Sequence, residues 1–148
     1  MFPYGKTAAN AVAAMSYLAE CHGDPPRKVN SAEIARERGI SKALVAKILT
    51  ILSQAGLVAG SPGPGGGYYL ARDPGDICLF DIIEHFERTG QPVSCPFGPD
   101  WCGNNAPCPL HDRILELDQQ VQAFLRGNRL SAFSHGNGPA KKREISHV

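Results

Sequence analysis

Apolar residues recur along this chain at two spacings, and the change between them marks out its elements. Across Tyr4–His22, the residues Val12, Met15, Leu18 and Ala19 share one side of a 3.6-residue repeat, which predicts an alanine-rich first helix. Gly23-Asp24-Pro25-Pro26 ends it. Ser31 stands as N-cap of a short helix, Ala32–Arg38, and Gly39-Ile40 forms a tight turn in which Gly39 can take a positive φ. Ser41 caps a longer helix, Lys42–Ala55, whose apolar face is Leu44, Val45, Ile48, Ile51 and Leu52; Gly56 stands just past its end. Leu57–Ala59 and Tyr68–Ala71 then read as strands joined by the glycine- and proline-rich loop Gly60–Gly67. Two surface helices on a shared core would account for the helices alone. A hairpin directly behind them makes the outline a winged helix-turn-helix.

Leu79, Ile82, Ile83 and Phe86 predict an amphipathic helix over Cys78–Arg88. Thr89–Pro109 has five prolines and no period, so it is a long loop of the kind that needs a functional reason. In the helix expected over Leu110–Arg126, the apolar residues Leu110, Ile114, Leu117, Val121 and Phe124 step by four and three alternately. That is a heptad seam, the pattern of a helix lying along a partner helix, and it favours a dimer over packing within one chain. The fold class is therefore mainly α with a small β-hairpin wing. Residues 1–75 form the winged helix-turn-helix domain, 76–134 the loop and dimerisation helix, and 135–148 a disordered, solvated tail.

Charge sharpens this division. The chain of 148 residues has a net charge of +1, but its first 75 residues hold eight Lys/Arg against five Asp/Glu, whereas residues 76–130 hold four against eight. A basic N-terminal half suits a module that meets phosphates with one end. The apolar run Ala8–Ala19 is interrupted by Asn10 and Ser16 and is too short to span a bilayer, so neither a secretory signal nor a membrane span is expected and the chain reads as cytoplasmic.

Three of the five cysteines fall within fourteen residues, which in that compartment points to metal or redox chemistry rather than a disulfide framework. Cys95, Cys102, Cys108 and His111 have the spacing C-x6-C-x5-C-x2-H. Intervening glycines and prolines let an irregular backbone wrap a cluster, and Cys108 beside Pro109 falls at the start of the last helix, whose positive end favours a thiolate. Structural zinc on three cysteines and one histidine competes with an iron–sulfur cluster, although no tight C-x2-C chelate is present, and a disulfide thiol switch is third. Cys21 and Cys78 read as core residues on apolar helix faces. A small electron-transfer protein would need a closed thiolate set and has no use for a glycine wing. A Cys108–His111 nucleophile pair lacks an oxyanion loop and an orienting third residue, so the chain does not read as an enzyme.

Gly39-Ile40-Ser41, Gly56-Leu57-Val58, the run Gly63–Tyr68, the three cysteines and His111 together resemble the IscR/NsrR family of winged-helix iron–sulfur regulators. The resemblance runs from the first helix to about Ser134. It implies a homodimeric transcriptional regulator, a repressor first of all, that binds a pseudo-palindromic DNA operator and senses redox, nitric oxide or iron–sulfur status. By position it places Ser41, Lys42, Leu44, Val45 and Lys47 on a recognition helix in the major groove, with Gly65 and Tyr68 on the wing. It also makes Cys95, Cys102 and Cys108 the ligands of an iron–sulfur cluster, 2Fe–2S before 4Fe–4S, with His111 as fourth ligand, and so sets zinc and a thiol switch behind it. Nitric-oxide sensors of the family use an acidic residue in the first helix instead, where this chain has Ala9 and Asn10. Two further departures stand out. The first cysteine gap is one residue longer than the common five, and Ser61-Pro62 replaces an arginine that often precedes the glycine run and reads minor-groove shape.

Overall fold

In the computed structural model, which describes residues 4–87 and 108–134, five helices and one antiparallel hairpin follow in the order α1 (Lys6–Glu20), α2 (Ser31–Arg38), α3 (Lys42–Gln54), β1 (Val58–Ser61), β2 (Gly67–Leu70), α4 (Leu79–Ile83) and α5 (His111–Gly127). Single 3-10 turns at Pro74–Asp76 and Leu130–Phe133 flank α4 and close the described chain. The mainly helical fold with a two-stranded wing is the one expected from the pattern. The described helices include none long and apolar enough to cross a membrane.

The helix-turn-helix is built by caps at each boundary. Asn30, rather than Ser31, is the N-cap of α2: its side-chain oxygen accepts from the Glu33 amide at 2.8 Å, and Ser31 is the first helical residue. Asparagine and serine cap about equally well, so the period alone did not separate neighbours. Gly39 takes φ 63° at the end of α2, and the Ser41 hydroxyl accepts from the Leu44 amide at 3.2 Å to start α3.

The hairpin runs deeper into the expected loop than the composition suggested. Val58 pairs with Leu70 and Ser61 with Gly67, leaving Pro62–Gly66 as the turn. Two of its glycines are sterically required, because a Cβ on Gly60 would lie 2.0 Å from the Gly67 carbonyl oxygen and one on Gly66 would lie 2.3 Å from that of Ser61. Val29 adds an isolated bridge to Tyr68 on the free side of β2.

α1 is the central element. Ala11, Ala14, Met15, Leu18 and Ala19 meet Ile34 of α2, Val45, Ile48, Leu49 and Leu52 of α3, and Leu57, Val58 and Leu70 of the hairpin region. Ile77, Ile82 and Leu130 belong to the same cluster, so one core crosses the expected boundary at residue 75. The predicted helix over Cys78–Arg88 is regular only as far as Ile83 and continues as turns to Glu87. A smaller cluster of Ala8, Ile83 and Leu125, with Phe80, Phe86 and Val121 against it, fastens α5 to α1 and α4 by its C-terminal end. The Arg126 guanidinium stacks over the Phe80 ring at 3.8 Å there. Most of the cysteine loop and the tail from His135 lie outside the described residues.

Ile48 is fully buried in the core that α1 and α3 share. Ile48→Ala is expected to cost about 2–5 kcal/mol, as truncation of a close-packed aliphatic does. A urea midpoint that moves with an unchanged m-value is the measurement that checks it.

Candidate nucleic-acid interface and cysteine loop

α3 has one face for the core and one for solvent. Val45, Ile48, Leu49 and Leu52, at i, i+3, i+4 and i+7, are buried, and the opposite side exposes Ser41, Lys42, Ala43, Ala46, Lys47 and Thr50. Of the residues expected to face DNA, Ser41, Lys42 and Lys47 share this exposed face. Leu44 is half-buried against the core, and Val45 is 0% exposed. Val45, one turn from both Lys42 and Ile48, is taken up by the core and is therefore not available to a ligand of this helix. Ala43, Ala46 and Thr50 were legible as surface residues on the same wheel, since they lie opposite the buried stripe of Val45, Ile48, Leu49 and Leu52. The wing tip is exposed throughout Pro62–Gly65, and Gly65 has φ 74°. Tyr68 is only half-exposed, packs against the core, and exchanges backbone hydrogen bonds with Val29 at 2.9 and 2.7 Å.

A polar frame that periodicity does not reveal holds α2 against α1. Glu33 accepts from the Tyr17 hydroxyl and from Arg27 Nη2, each at 2.6 Å, while Arg27 Nη1 lies 2.9 Å from Cys21 Sγ. Arg38 donates to Glu20 at 2.5 Å and to the Ala13 carbonyl at 3.1 Å, with its guanidinium 5.0 Å from the centre of the Tyr17 ring. The Tyr17 hydrogen bond holds the Glu33 carboxyl below the usual carboxylate range against the opposing effect of burial, and Arg27 adds to the lowering. Burial and the same hydrogen bond push Tyr17 up to about 12. Glu33 likewise raises Arg27, which stays charged at every accessible pH. Arg27, Arg36 and Arg38 are all paired with carboxylates of the fold.

Of the proposed ligands, Cys95 and Cys102 lie outside the described residues. Cys108 is buried at 7% exposure, and its carbonyl accepts from the amide of His111, the first residue of α5, at 3.0 Å. Pro109 precedes the helix instead of lying in its first turn. Cys108 and half-buried His111 are thus brought to the same helix end, where free N–H groups favour anionic ligands. Among the described residues no three His, Cys, Asp or Glu side chains converge as a metal site. Cys21 differs from the core reading, because it ends α1 half-buried beside Arg27, whereas Cys78 is buried in the core as expected, at the start of α4 with its amide donating to Asp81 at 2.9 Å. Glu87, the last described residue before the cysteine loop, accepts from the Gly5 amide at the start of α1.

A family described as Rrf2, iron-dependent transcriptional regulator, matches residues 4–135. The HTH-type transcriptional regulator IscR of Photobacterium profundum is 32% identical over 127 residues, 86% of this chain and 72% of that protein. Among solved structures, T. potens IscR is 27% identical with TM-score 0.65, over 88% of this chain and 84% of that one. CymR, the global cysteine regulator of B. subtilis, is alike in fold, with TM-score 0.72 and 24% identity over 90% and 97%.

Because the Glu33 carboxyl is lowered from 4.5 in the folded state, its contribution is complete above that value and is lost as pH falls through the lower folded value. Glu33→Gln is therefore expected to be less stable than the parent at neutral pH and to lose less on acidification below about 4.5. Thermal melts of both proteins across that range test this, and parallel pH profiles would contradict it.

Proposed function

The chain belongs to the Rrf2 family of transcriptional regulators, and from that premise we propose that it is an iron–sulfur-dependent repressor that acts as a homodimer on a pseudo-palindromic operator. It is a DNA-binding regulator rather than an enzyme; its sensing chemistry and assembly are the proposed part. The reading rests above all on one placement: Cys108 and His111 stand at the foot of the helix whose exposed side is an apolar stripe.

The donor set fits a cluster. Three thiols and an imidazole are a known iron–sulfur complement, and Cys108 lies in shielded surroundings at a helix N-terminus, where negative charge is favoured. When bound, such a cluster would supply a redox-active, thiolate-held centre that oxygen, nitric oxide or iron limitation alters. Cys108 and His111 would hold it from α5, and Cys95 and Cys102 from the loop. Ordering or releasing the loop then acts on both ends of the molecule that border it: Glu87, which bonds the start of α1, and the N-terminal turns of α5.

α5 carries the proposed dimer contact. Leu110, Leu117 and Phe124 are 43%, 60% and 45% exposed, and Ile114 and Val121 lie between them at heptad spacing. A repeating apolar stripe of this kind on one protomer is stabilised by a second copy of itself. The pair would set two α3 helices about one DNA turn apart, with Ser41, Lys42, Ala43, Ala46, Lys47 and Thr50 towards the groove and Gly65 beside the backbone.

Cys95, Cys102 and Cys108 are each expected to be required for cluster assembly. His111→Ala should weaken the cluster, because water or Asp112 can take its place, and His111→Cys should keep it. Cys21→Ser and Cys78→Ser should leave the visible spectrum unchanged. Anaerobic reconstitution followed by iron, sulfide and zinc analysis decides the matter; stoichiometric zinc without acid-labile sulfide would reject the cluster and leave DNA binding standing. Leu117→Lys should convert the dimer to monomer, since an unpaired buried charge costs several kcal/mol. Sedimentation that finds the unsubstituted protein monomeric at micromolar concentration would end the dimer reading.

A further inference from the structure

The hairpin from Val58 to Leu70 contains neither lysine nor arginine. A wing that approaches a polyanion without a cation gains nothing from the phosphates, which dominate affinity for duplex DNA. The charge has to come from a neighbouring segment.

The strand bridge brings one. Val29 is bound to Tyr68 through both backbone hydrogen bonds, at 2.9 and 2.7 Å, which draws the α1–α2 connection against β2. Lys28 is carried with it. A Cβ on Gly67 would stand 2.9 Å from the Lys28 Cβ and 3.2 Å from its carbonyl carbon, so the bare backbone of Gly67 is what admits the Lys28 stem. Two residues later Asn30 caps α2. Lys28 thus stands where the wing root meets the start of the first helix of the helix-turn-helix, the helix that crosses the DNA backbone in this architecture.

Charge allocation leaves the same residue available. Arg27, Arg36 and Arg38 are committed to Glu33, Glu37 and Glu20. Lys28 is exposed and forms no ion pair among the described residues, as is true of Lys42 and Lys47 on α3.

We propose that Lys28, seated on Gly67, is the phosphate-binding cation of the wing, supplied from the α1–α2 connection because the hairpin has none of its own. The inference rests on the DNA-binding face described above and extends it to a residue outside the recognition helix and the wing. The outcome is a contact that reads charge rather than sequence, so it should tighten binding to every duplex alike.

The test is a salt series of fluorescence-anisotropy titrations with the full chain and a labelled duplex. Lys28→Ala should weaken binding and reduce the slope of log K against log salt by about 0.9 per bound protomer. Lys28→Arg should keep the parental slope, and both variants should melt with the parent because the side chain is exposed. Lys42→Ala serves as the reference for a contact from α3. A parental slope in Lys28→Ala beside a reduced slope in Lys42→Ala overturns the proposal and leaves the DNA-binding face intact. A slope lost equally in Lys28→Arg overturns it too, since the role would then not be one of charge. An unsubstituted protein that binds no duplex removes the DNA-binding reading and this one together.

Discussion

Everything in this molecule hangs on how closely other elements can approach α1. Its inner side is built from Ala8, Ala11, Ala14 and Ala19 with Met15 and Leu18 between them, all buried. Small side chains let α2, α3, α4 and the hairpin root all reach one fifteen-residue helix. In a close-packed interior a larger residue at any of these alanines would have to displace a neighbour, and the neighbours include the helix that presents the exposed lysine face. The orientation of α3 is thus a property of α1. With Val45, Ile48, Leu49 and Leu52 committed to that contact, the side of α3 bearing Lys42 and Lys47 has nowhere to go but outward.

Charges are divided by the same logic. Two arginines serve the frame: Arg27 and Arg38 join α2 and its preceding turn to α1 through Glu33, Glu20 and the Ala13 carbonyl, using the planar guanidinium for several partners at once. Lysines remain on the outside, where a mobile point charge suits a phosphate backbone. A count of basic residues in the first half overstates what is available to DNA, because Arg27 and Arg38 are spent on holding the helix-turn-helix in place.

α5 joins the body differently. It is fastened near one end, where Val121 and Leu125 enter the small cluster and Arg126 stacks on Phe80, while its first turns carry Cys108's neighbours and His111. The bond from Glu87 to the Gly5 amide gives the opposite end of the loop a hold on α1.

Much of this was written in the local pattern. The order of helices and hairpin, the positive φ of Gly39, the Ser41 cap and the exposed heptad stripe of α5 each follow from interactions within a few residues, so spacing alone determined them. The cysteine and histidine spacing named the candidate ligands for the same reason. What the tertiary structure decided involves partners far apart in sequence. Val45 is interior in the core shared with α1, Asn30 rather than Ser31 caps α2, and Ile77, Ile82 and Leu130 join the same core as the first three helices. The frame of Tyr17, Glu33, Arg27 and Arg38, and the meeting of Lys28 with Gly67, exist only once the chain has folded back on itself. Periodicity records which side of an element is apolar; which neighbour covers that side, and which polar groups are brought together at its edge, is settled by packing.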